Sequence, residues 1–161
     1  MNIMPILLFV FASYSVQSQE HHILDNPVTG SHLKHKAVSG SIPFDKTYGQ
    51  LSSKEKRVFT SIYENFSEAD EPTYPLKGLQ ELYSPIYAAH EKLGRRGKLQ
   101  IIALIDEKGL VETMPVYDSP SKHMTKIASA VLFSTKFKHA LCSGVPCKME
   151  FPFFIELKVS Y

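Results

Sequence analysis

Few residues in this sequence have the types and spacing that catalysis requires. His90-Glu91 begins like the zinc-binding string of helical proteases, but Gly94 stands where the second histidine ligand would lie one helical turn further on. Ser119 and His123 fit a helix cap and a first-turn residue better than a catalytic pair. The chain also has no Gly-x-Ser-x-Gly elbow and no phosphate-binding glycine loop. We therefore predict a non-enzymatic protein with no cofactor and no metal site.

The two cysteines, Cys142 and Cys147, are candidates for a disulfide. Their spacing differs from the Cys-x-x-Cys motif of thiol–disulfide oxidoreductases. The intervening Ser-Gly-Val-Pro sequence can turn the chain back, and an even number of cysteines in an exported protein favours pairing. The alternative is two reduced thiols, one of them packed as a small apolar side chain.

Residues 1–18 have the pattern of a signal peptide. The apolar run from Ile3 continues to Val16 and then gives way to polar residues. It is shorter than the roughly 20 apolar residues that span a bilayer. We predict export with cleavage after Ser18, and a short uncleaved anchor is the alternative. No cysteine directly follows the run, so we expect no lipid anchor.

The length and composition are those of an ordinary globular protein. The 161 residues fit one domain with an appended segment, since domains typically hold about 100 to 150 residues. Hydrophobic residues make up 43% of the chain and charged residues 21%, which argues against a wholly disordered chain and against a polytopic membrane protein. The net charge of +2 is too small to indicate nucleic acid as a partner.

The region before residue 71 is predicted to hold an arm and one helix. Residues 19–51 contain several Gly, Pro and His residues and few periodic apolar positions, and are expected to form a flexible arm. Within residues 52–70, Ser52 and Glu55 form a capping-box pattern, and apolar residues at helical spacing predict an amphipathic helix over Ser53–Ser67, followed by a linker. Its apolar face either packs on the C-terminal domain or binds a partner.

Residues 71–161 are predicted to form the principal domain. Its elements are a proline-rich linker at Glu71–Pro75, a helical stretch from Leu76 that Pro85 kinks or divides, a strand over Lys98–Ile105, a hairpin turn at Asp106–Gly109, a weaker strand over Leu110–Tyr117, a helix over Lys122–Phe133 and a last strand over Phe151–Val159. The order α-β-β-α-β predicts an α+β fold in which helices cover one face of a small, antiparallel, three-stranded sheet.

Several local strings resemble the C-terminal domain of the energy transducer TonB. They are Gly97, Leu99-Gln100-Ile101, Asp106 with Gly109, Ser119, Ile127 with Ala130-Val131, Phe137-Lys138-His139-Ala140, Gly144-Val145-Pro146 and Phe151-Pro152-Phe153. Their order and spacing are close to those of the family over about residues 71–161, although His139 replaces a proline that the family favours. TonB itself also has a membrane helix and a Pro-rich reach, which this chain lacks, so we expect the docking function without energy transduction.

The resemblance implies a periplasmic module that docks an extended segment of an outer-membrane TonB-dependent transporter, or of another envelope protein, by strand addition. It leaves dimerisation open. The alternative is an envelope structural protein that keeps the fold without a transporter partner. The candidate partner-binding residues lie on the last strand and are Phe151, Phe153, Phe154, Ile155, Glu156 and Lys158.

Two features of the candidate surface have alternative explanations. Phe154 is an unusual residue for a solvated face, unless residues around Ile62 and Phe66 cover it. A basic cluster precedes the first strand and consists of Lys92, Arg95, Arg96 and Lys98. The cluster is either a solvated loop or a contact for acidic groups on a receptor or on cell-wall material.

Overall fold

The computed structural model describes Leu33 and residues 42–158. The predicted signal peptide, most of the predicted arm and Val159 of the predicted last strand lie outside the described residues. Three α-helices and eight strands are present in this part, every strand pairing is antiparallel, and the fold is α+β as predicted. No helix in these ranges is both long and apolar enough to cross a membrane.

The helices and strands follow one another in a mixed order. They are α1 (Ser53–Thr60), β1 (Tyr74–Pro75), α2 (Gln80–Leu93), β2 (Gly97–Ile105), β3 (Val111–Thr113), β4 (Val116–Asp118), α3 (Lys122–Ser134), β5 (Phe137–Lys138), β6 (Ala140–Cys142), β7 (Val145–Cys147) and β8 (Met149–Leu157).

The main sheet is built around β2. One edge of β2 pairs with β8 over its whole length, from Gly97 opposite Leu157 to Ile105 opposite Met149. The other edge carries β3 and β4, with a register irregularity in each pairing. A single strand was predicted there, and it is interrupted at Pro115, which has no N–H to donate to a ladder. The predicted three-stranded sheet therefore has four strands.

The turn between β2 and β3 forms as the sequence predicts. Asp106 accepts hydrogen bonds from the backbone N–H groups of Lys108 and Leu110 over 2.9 and 2.8 Å. Gly109 has a φ of +79°, and an added Cβ would overlap the carbonyl oxygen of Phe137. Both the positive φ and the close approach require glycine.

The first helix begins as predicted and ends early. The Ser52 N–H donates to the Glu55 carboxylate over 2.6 Å, and the Glu55 N–H donates back to the Ser52 hydroxyl over 3.3 Å, which completes the capping box. The helix was predicted to reach Ser67 but ends at Thr60. Tyr63 forms an isolated bridge with Leu33 instead, so this tertiary pairing overrides the helical spacing.

The other two helices have well-defined ends. α2 is a single helix that contains Pro85 in its interior, so of the two outcomes predicted for Pro85, a kink or a division, the division does not occur. It ends at Leu93, and the following residue, Gly94, caps it in the left-handed conformation with φ 60°. α3 begins at Lys122 as predicted, because the Ser121 hydroxyl accepts from the Met124 N–H over 3.1 Å.

One hydrophobic cluster joins the sheet, the helices and the segments that precede them. The prediction of a flexible arm does not hold for residues 42–51, because Tyr48 and Leu51 are buried. Residues Glu71–Pro75 are extended, as their prolines predict, but Tyr74 is fully buried and contributes to β1, which pairs with β5. The predicted linker is therefore part of the core.

α1 packs on this same core. The Phe59 ring lies 5.1 Å from the Tyr74 ring and 6.2 Å from the Phe151 ring, measured between centroids. Of the alternatives for the apolar face of this helix, the structure shows packing on the domain. Aromatic contacts between α1, β1 and β8 thus hold together segments that are distant in sequence.

Candidate functional site

The free edge of β8 is the candidate site. β8 pairs with β2 along one edge, and no strand among the described residues pairs with its other edge. Three side chains contact carbonyl groups on that free edge. Tyr63 contacts the Glu150 oxygen over 2.8 Å, Tyr83 the Phe154 oxygen over 3.4 Å and His90 Nε2 the Lys158 oxygen over 2.9 Å. Because a carbonyl only accepts, Nε2 must be the protonated nitrogen of His90.

These contacts show which backbone groups of β8 point outward. All three acceptors belong to even-numbered residues, and in an antiparallel strand the N–H and C=O of one residue point to the same side. The N–H and C=O of Glu156 therefore also point to the free edge. Pro152 lies in the same set, so its missing N–H removes a donor from the free edge and not from the ladder with β2.

The six predicted partner-binding residues fall into two groups. Phe151, Phe153 and Ile155 are buried in the core, and their backbone groups face β2, so they are not available to a partner. Exposed residues of the set are Phe154, Glu156 and Lys158. Phe154 keeps 37% of its surface exposed, so residues around Ile62 and Phe66 do not cover it completely.

α2 runs alongside the free edge and places aromatic rings next to it. The Tyr83 hydroxyl bonds to the Phe154 carbonyl oxygen. Two turns later on the same helix, His90 Nε2 bonds to the Lys158 carbonyl oxygen. Tyr87 lies between them on the same helical face, 6.4 Å from Tyr83 between ring centroids, and is 41% exposed.

Phe44 extends this aromatic surface. Its ring stacks on Tyr83 with centroids 4.7 Å apart and planes 13° apart, and 47% of the side chain remains exposed. The Phe44 carbonyl accepts from the Gln80 N–H over 2.7 Å, which fixes this segment to the start of α2. We call Phe44, Tyr83, Tyr87, Phe154 and the outward backbone of Glu156 the aromatic edge surface.

The hydrogen bonds on the free edge differ in strength. A hydroxyl donor normally lies about 2.5 to 3.0 Å from its acceptor, so the Tyr63 bond to Glu150 is well formed and the Tyr83 bond to Phe154 is weak. Burial raises the pKa of both tyrosines well above the usual value for a phenol, so both hydroxyls stay neutral donors. The middle of the free edge, at Phe154 and Glu156, is its least satisfied part.

The predicted basic cluster lies at one end of the aromatic edge surface. Lys92, Arg95, Arg96 and Lys98 are all exposed in the segment that joins α2 to β2. Lys98 is opposite Glu156 in the β2–β8 register, so this residue of the cluster lies beside the C-terminal end of β8, on the edge that pairs with β2. Glu156 forms an ion pair with Lys158 over 3.2 Å.

The disulfide lies on a separate hairpin. Cys142 and Cys147 are bonded, with Cα atoms 5.8 Å apart, and connect β6 to β7 as predicted. Asp70 holds the tip of this hairpin, because its carboxylate accepts from the Ser143 N–H over 2.8 Å and from the Ser67 N–H over 2.9 Å. These backbone N–H groups lower the pKa of Asp70.

The residues first considered for catalysis have structural partners. His90 bonds to the backbone of Lys158, and the Ser119 hydroxyl bonds to Ser121 and Thr125. Across residues 42–158 and Leu33, no group of three or more His, Cys, Asp or Glu side chains is placed to hold a metal ion.

Sequence reasoning found the strand but missed its neighbours Phe44, Tyr83 and Tyr87. The signal for two of them was present, since tyrosines at i and i+4 lie on one helical face. No protein-family model matches the chain, and no curated protein matches it.

Proposed function

We propose that this protein is an exported, non-enzymatic binding module of the TonB C-terminal type, which docks an extended segment of a partner on the free edge of β8. The proposed partner is an outer-membrane transporter or another protein of the cell envelope, and the proposed compartment is the periplasm. The observation that carries this proposal is the outward backbone of Phe154 and Glu156 beside exposed aromatic rings.

Strand addition fits the chemistry of this edge. An extended segment would form main-chain hydrogen bonds with Phe154 and Glu156, and its alternate side chains would contact Phe154 on one side and Tyr83 with Tyr87 on the other. The weak Tyr83 bond to the Phe154 carbonyl is the one that docking would displace. Each new hydrogen bond contributes a net of about 0.5 to 1.5 kcal/mol, so affinity in the micromolar range is expected.

The opposite edge of the main sheet suits strand addition less well. It is formed by β3 and β4, three residues each, and the chain between them contains Pro115. Each pairing with β2 also has a register irregularity. Bulges and prolines are the devices by which sheets discourage pairing along an edge. The longer and more regular β8 is therefore the proposed docking strand.

The topology is also consistent with the family resemblance. A helix precedes the central strand β2, a broken strand follows it, and α3 separates that strand from β8. This is the order α-β-β-α-β that the resemblance implies, with the second strand divided by Pro115. We propose the TonB-like order on this basis.

A substitution at Glu156 tests the proposal. Glu156→Pro removes an N–H from the free edge and leaves the ladder with β2 intact, whereas Glu156→Ala removes the carboxylate and keeps the N–H. Synthetic peptides that copy N-terminal segments of transporters from the same cell are titrated by calorimetry. We expect the alanine variant to bind within about twofold of the parent, and the proline variant to bind about fivefold or more weakly, since one hydrogen bond is lost.

Thermal melting must first show that both variants are folded. Equal binding by the folded proline and alanine variants would contradict pairing through Glu156. If no transporter segment binds the parent protein, the proposed partner class is wrong.

A further inference from the structure

The first two turns of α3 carry positive charge that the helix itself does not neutralise. Lys122 and Lys126 are four residues apart, so they lie on the same face of α3, and both side chains are exposed. Neither forms an ion pair in the part of the chain that the structure describes. α3 contains no Asp or Glu, so this face of the helix is purely basic.

The segment between α2 and β2 brings further positive charge to the start of α3. A Cβ added at Gly97 would lie 3.0 Å from the Pro120 Cβ, so this segment packs on the residues that precede α3. Arg95 and Arg96 lie within two residues of that contact, and both are exposed. Lys98 is different, because it alternates with the buried residues of β2 and therefore lies on the other face of the sheet. The two arginines thus belong with α3, and Lys98 does not.

The last turn of α2 adds Lys92 to the same end of the molecule. Lys92 is exposed and is close to 180° around the helix from Tyr83 and His90, the residues that bond to β8. It is therefore not directed at the free edge of β8. The shared location of the end of α2 and the start of α3 defines a surface that we call the basic pole. It consists of Lys92, Arg95, Arg96, Lys122 and Lys126.

Few carboxylates lie next to the basic pole. Glu91 and Asp118 are the acidic residues that adjoin its members in sequence. The five Lys and Arg side chains and these two carboxylates leave a net charge of +3, which exceeds the +2 of the whole chain. The positive charge of the protein is therefore concentrated at this end, and such an asymmetry attracts anionic partners.

The composition of the basic pole favours an anionic bilayer over a nucleic acid. Residues 94–98 and the first two turns of α3 contain no Phe, Tyr or Trp, the side chains on which the bases of single-stranded nucleic acids stack. They also offer no large exposed apolar side chain that could insert between acyl chains. Clusters of about four to eight Lys and Arg side chains bind anionic lipid headgroups through charge alone.

We propose that the basic pole binds the phosphate headgroups of an anionic phospholipid bilayer and holds the module at the membrane surface. This inference rests on the proposed export, which brings the chain to a bilayer, and not on docking at β8. Lys92 and Tyr83 lie on opposite sides of α2, so a bilayer and a docked segment can be bound at the same time. Because the contact is electrostatic, it is expected to be reversible and sensitive to salt.

Vesicle sedimentation tests the proposal on the protein in the form in which the cell exports it. The vesicles are phosphatidylcholine alone or phosphatidylcholine with about 30% phosphatidylglycerol, and each Lys or Arg near an anionic surface strengthens binding by about fivefold. The parent protein should bind the anionic vesicles at least about tenfold more tightly than the neutral ones at about 50 mM sodium chloride, and the difference should shrink at about 500 mM.

Charge-reversal variants locate the contact. Lys122→Glu combined with Lys126→Glu should weaken binding to the anionic vesicles by at least about tenfold and leave binding to the neutral vesicles unchanged. The control is Lys108→Glu combined with Lys136→Glu, which makes the same charge change on exposed residues beyond the other ends of β2 and α3. This control should weaken binding by less than about threefold, because those residues lie away from the pole. Thermal melting checks that both double variants are folded.

The other outcomes would overturn the proposal. Equal binding of the parent protein to anionic and neutral vesicles would show that the pole does not bind lipid, and so would a control that loses as much binding as the reversal in α3. Displacement from the vesicles by inorganic phosphate at constant ionic strength would show recognition of a single phosphate and not of a bilayer. Tighter binding to a short DNA duplex than to the anionic vesicles would identify a nucleic-acid surface instead. None of these results bears on strand addition at β8, which the peptide titrations test separately.

Discussion

The Tyr83 hydroxyl lies 3.4 Å from the Phe154 carbonyl oxygen, and this long hydrogen bond joins α2 to the free edge of β8. The corresponding bond from Tyr63 to Glu150 is 2.8 Å. Two tyrosines thus contact the same edge with different geometry. The end of the edge at Glu150, where the Tyr63 bond is short, contributes to stability. The middle of the edge at Phe154, where the Tyr83 bond is long, is available for docking.

We predict that the two tyrosines contribute unequally to stability. Tyr63→Phe removes a well-formed bond to a backbone carbonyl and should lower the free energy of unfolding by about 1 kcal/mol. Tyr83→Phe, its matched control, should cost less than about 0.5 kcal/mol because the bond is already long. Urea denaturation of both variants measures the difference. A larger loss for Tyr83→Phe than for Tyr63→Phe would contradict this ranking.

Gly109→Ala should be strongly destabilising. The residue has a φ of +79°, and a Cβ would overlap the Phe137 carbonyl oxygen, so the turn or the Phe137 segment must shift. We expect a loss of about 2 to 3 kcal/mol in the free energy of unfolding. Gly49→Ala is the control, since nothing lies within 4 Å of its added Cβ. Similar stabilities for the two alanine variants would show that Gly109 is not constrained in this way.

The Asp70 carboxylate should make stability depend on acid pH. Its pKa is lowered in the folded protein by the N–H groups of Ser143 and Ser67, so the folded state favours the ionised form. The contribution is therefore present above the pKa of the unfolded chain and is lost as the pH falls through the lowered folded value. Asp70→Ala should be less stable than the parent at pH 7, and the difference should shrink toward pH 2. A pH-independent difference in melting temperature would contradict this assignment.

The disulfide is predicted to stabilise one hairpin and not the whole fold. The loop between Cys142 and Cys147 is short, and replacing both cysteines with serine should cost about 2 kcal/mol. The neighbouring Glu71 and Leu141 exchange two backbone hydrogen bonds of 2.8 Å, which should keep the hairpin in place. Guanidinium denaturation of the double serine variant measures the loss. Failure of that variant to fold would show that the bridge has a larger role.

The sequence was sufficient to predict β2, the Asp106–Gly109 turn, α3 and the alternating faces of β8. In each case a local signal and the tertiary environment agree: Leu99 and Ile101 alternate with residues on the other face, and Ser121 provides the cap of α3. Pro152 is a further local signal that could have identified the free edge. Its missing N–H belongs on an unpaired edge, and Glu156, four residues later, faces the same side.

The remaining features depend on contacts between residues distant in sequence. α1 ends at Thr60 because Tyr63 pairs with Leu33 and bonds to Glu150, and no local pattern encodes either contact. Phe44 was assigned to an arm because its neighbourhood is rich in turn-forming residues, yet its ring stacks on Tyr83. The aromatic edge surface is therefore a product of tertiary packing.

Amide hydrogen exchange followed by NMR tests whether a partner docks on the free edge of β8. In the free protein, the N–H groups of Phe153 and Ile155 face β2 and should exchange slowly, whereas those of Phe154 and Glu156 face the free edge and should exchange faster. On addition of a docking peptide, we expect the Phe154 and Glu156 amides to become protected. Binding of the peptide with unchanged exchange at both amides would contradict docking by strand addition on β8.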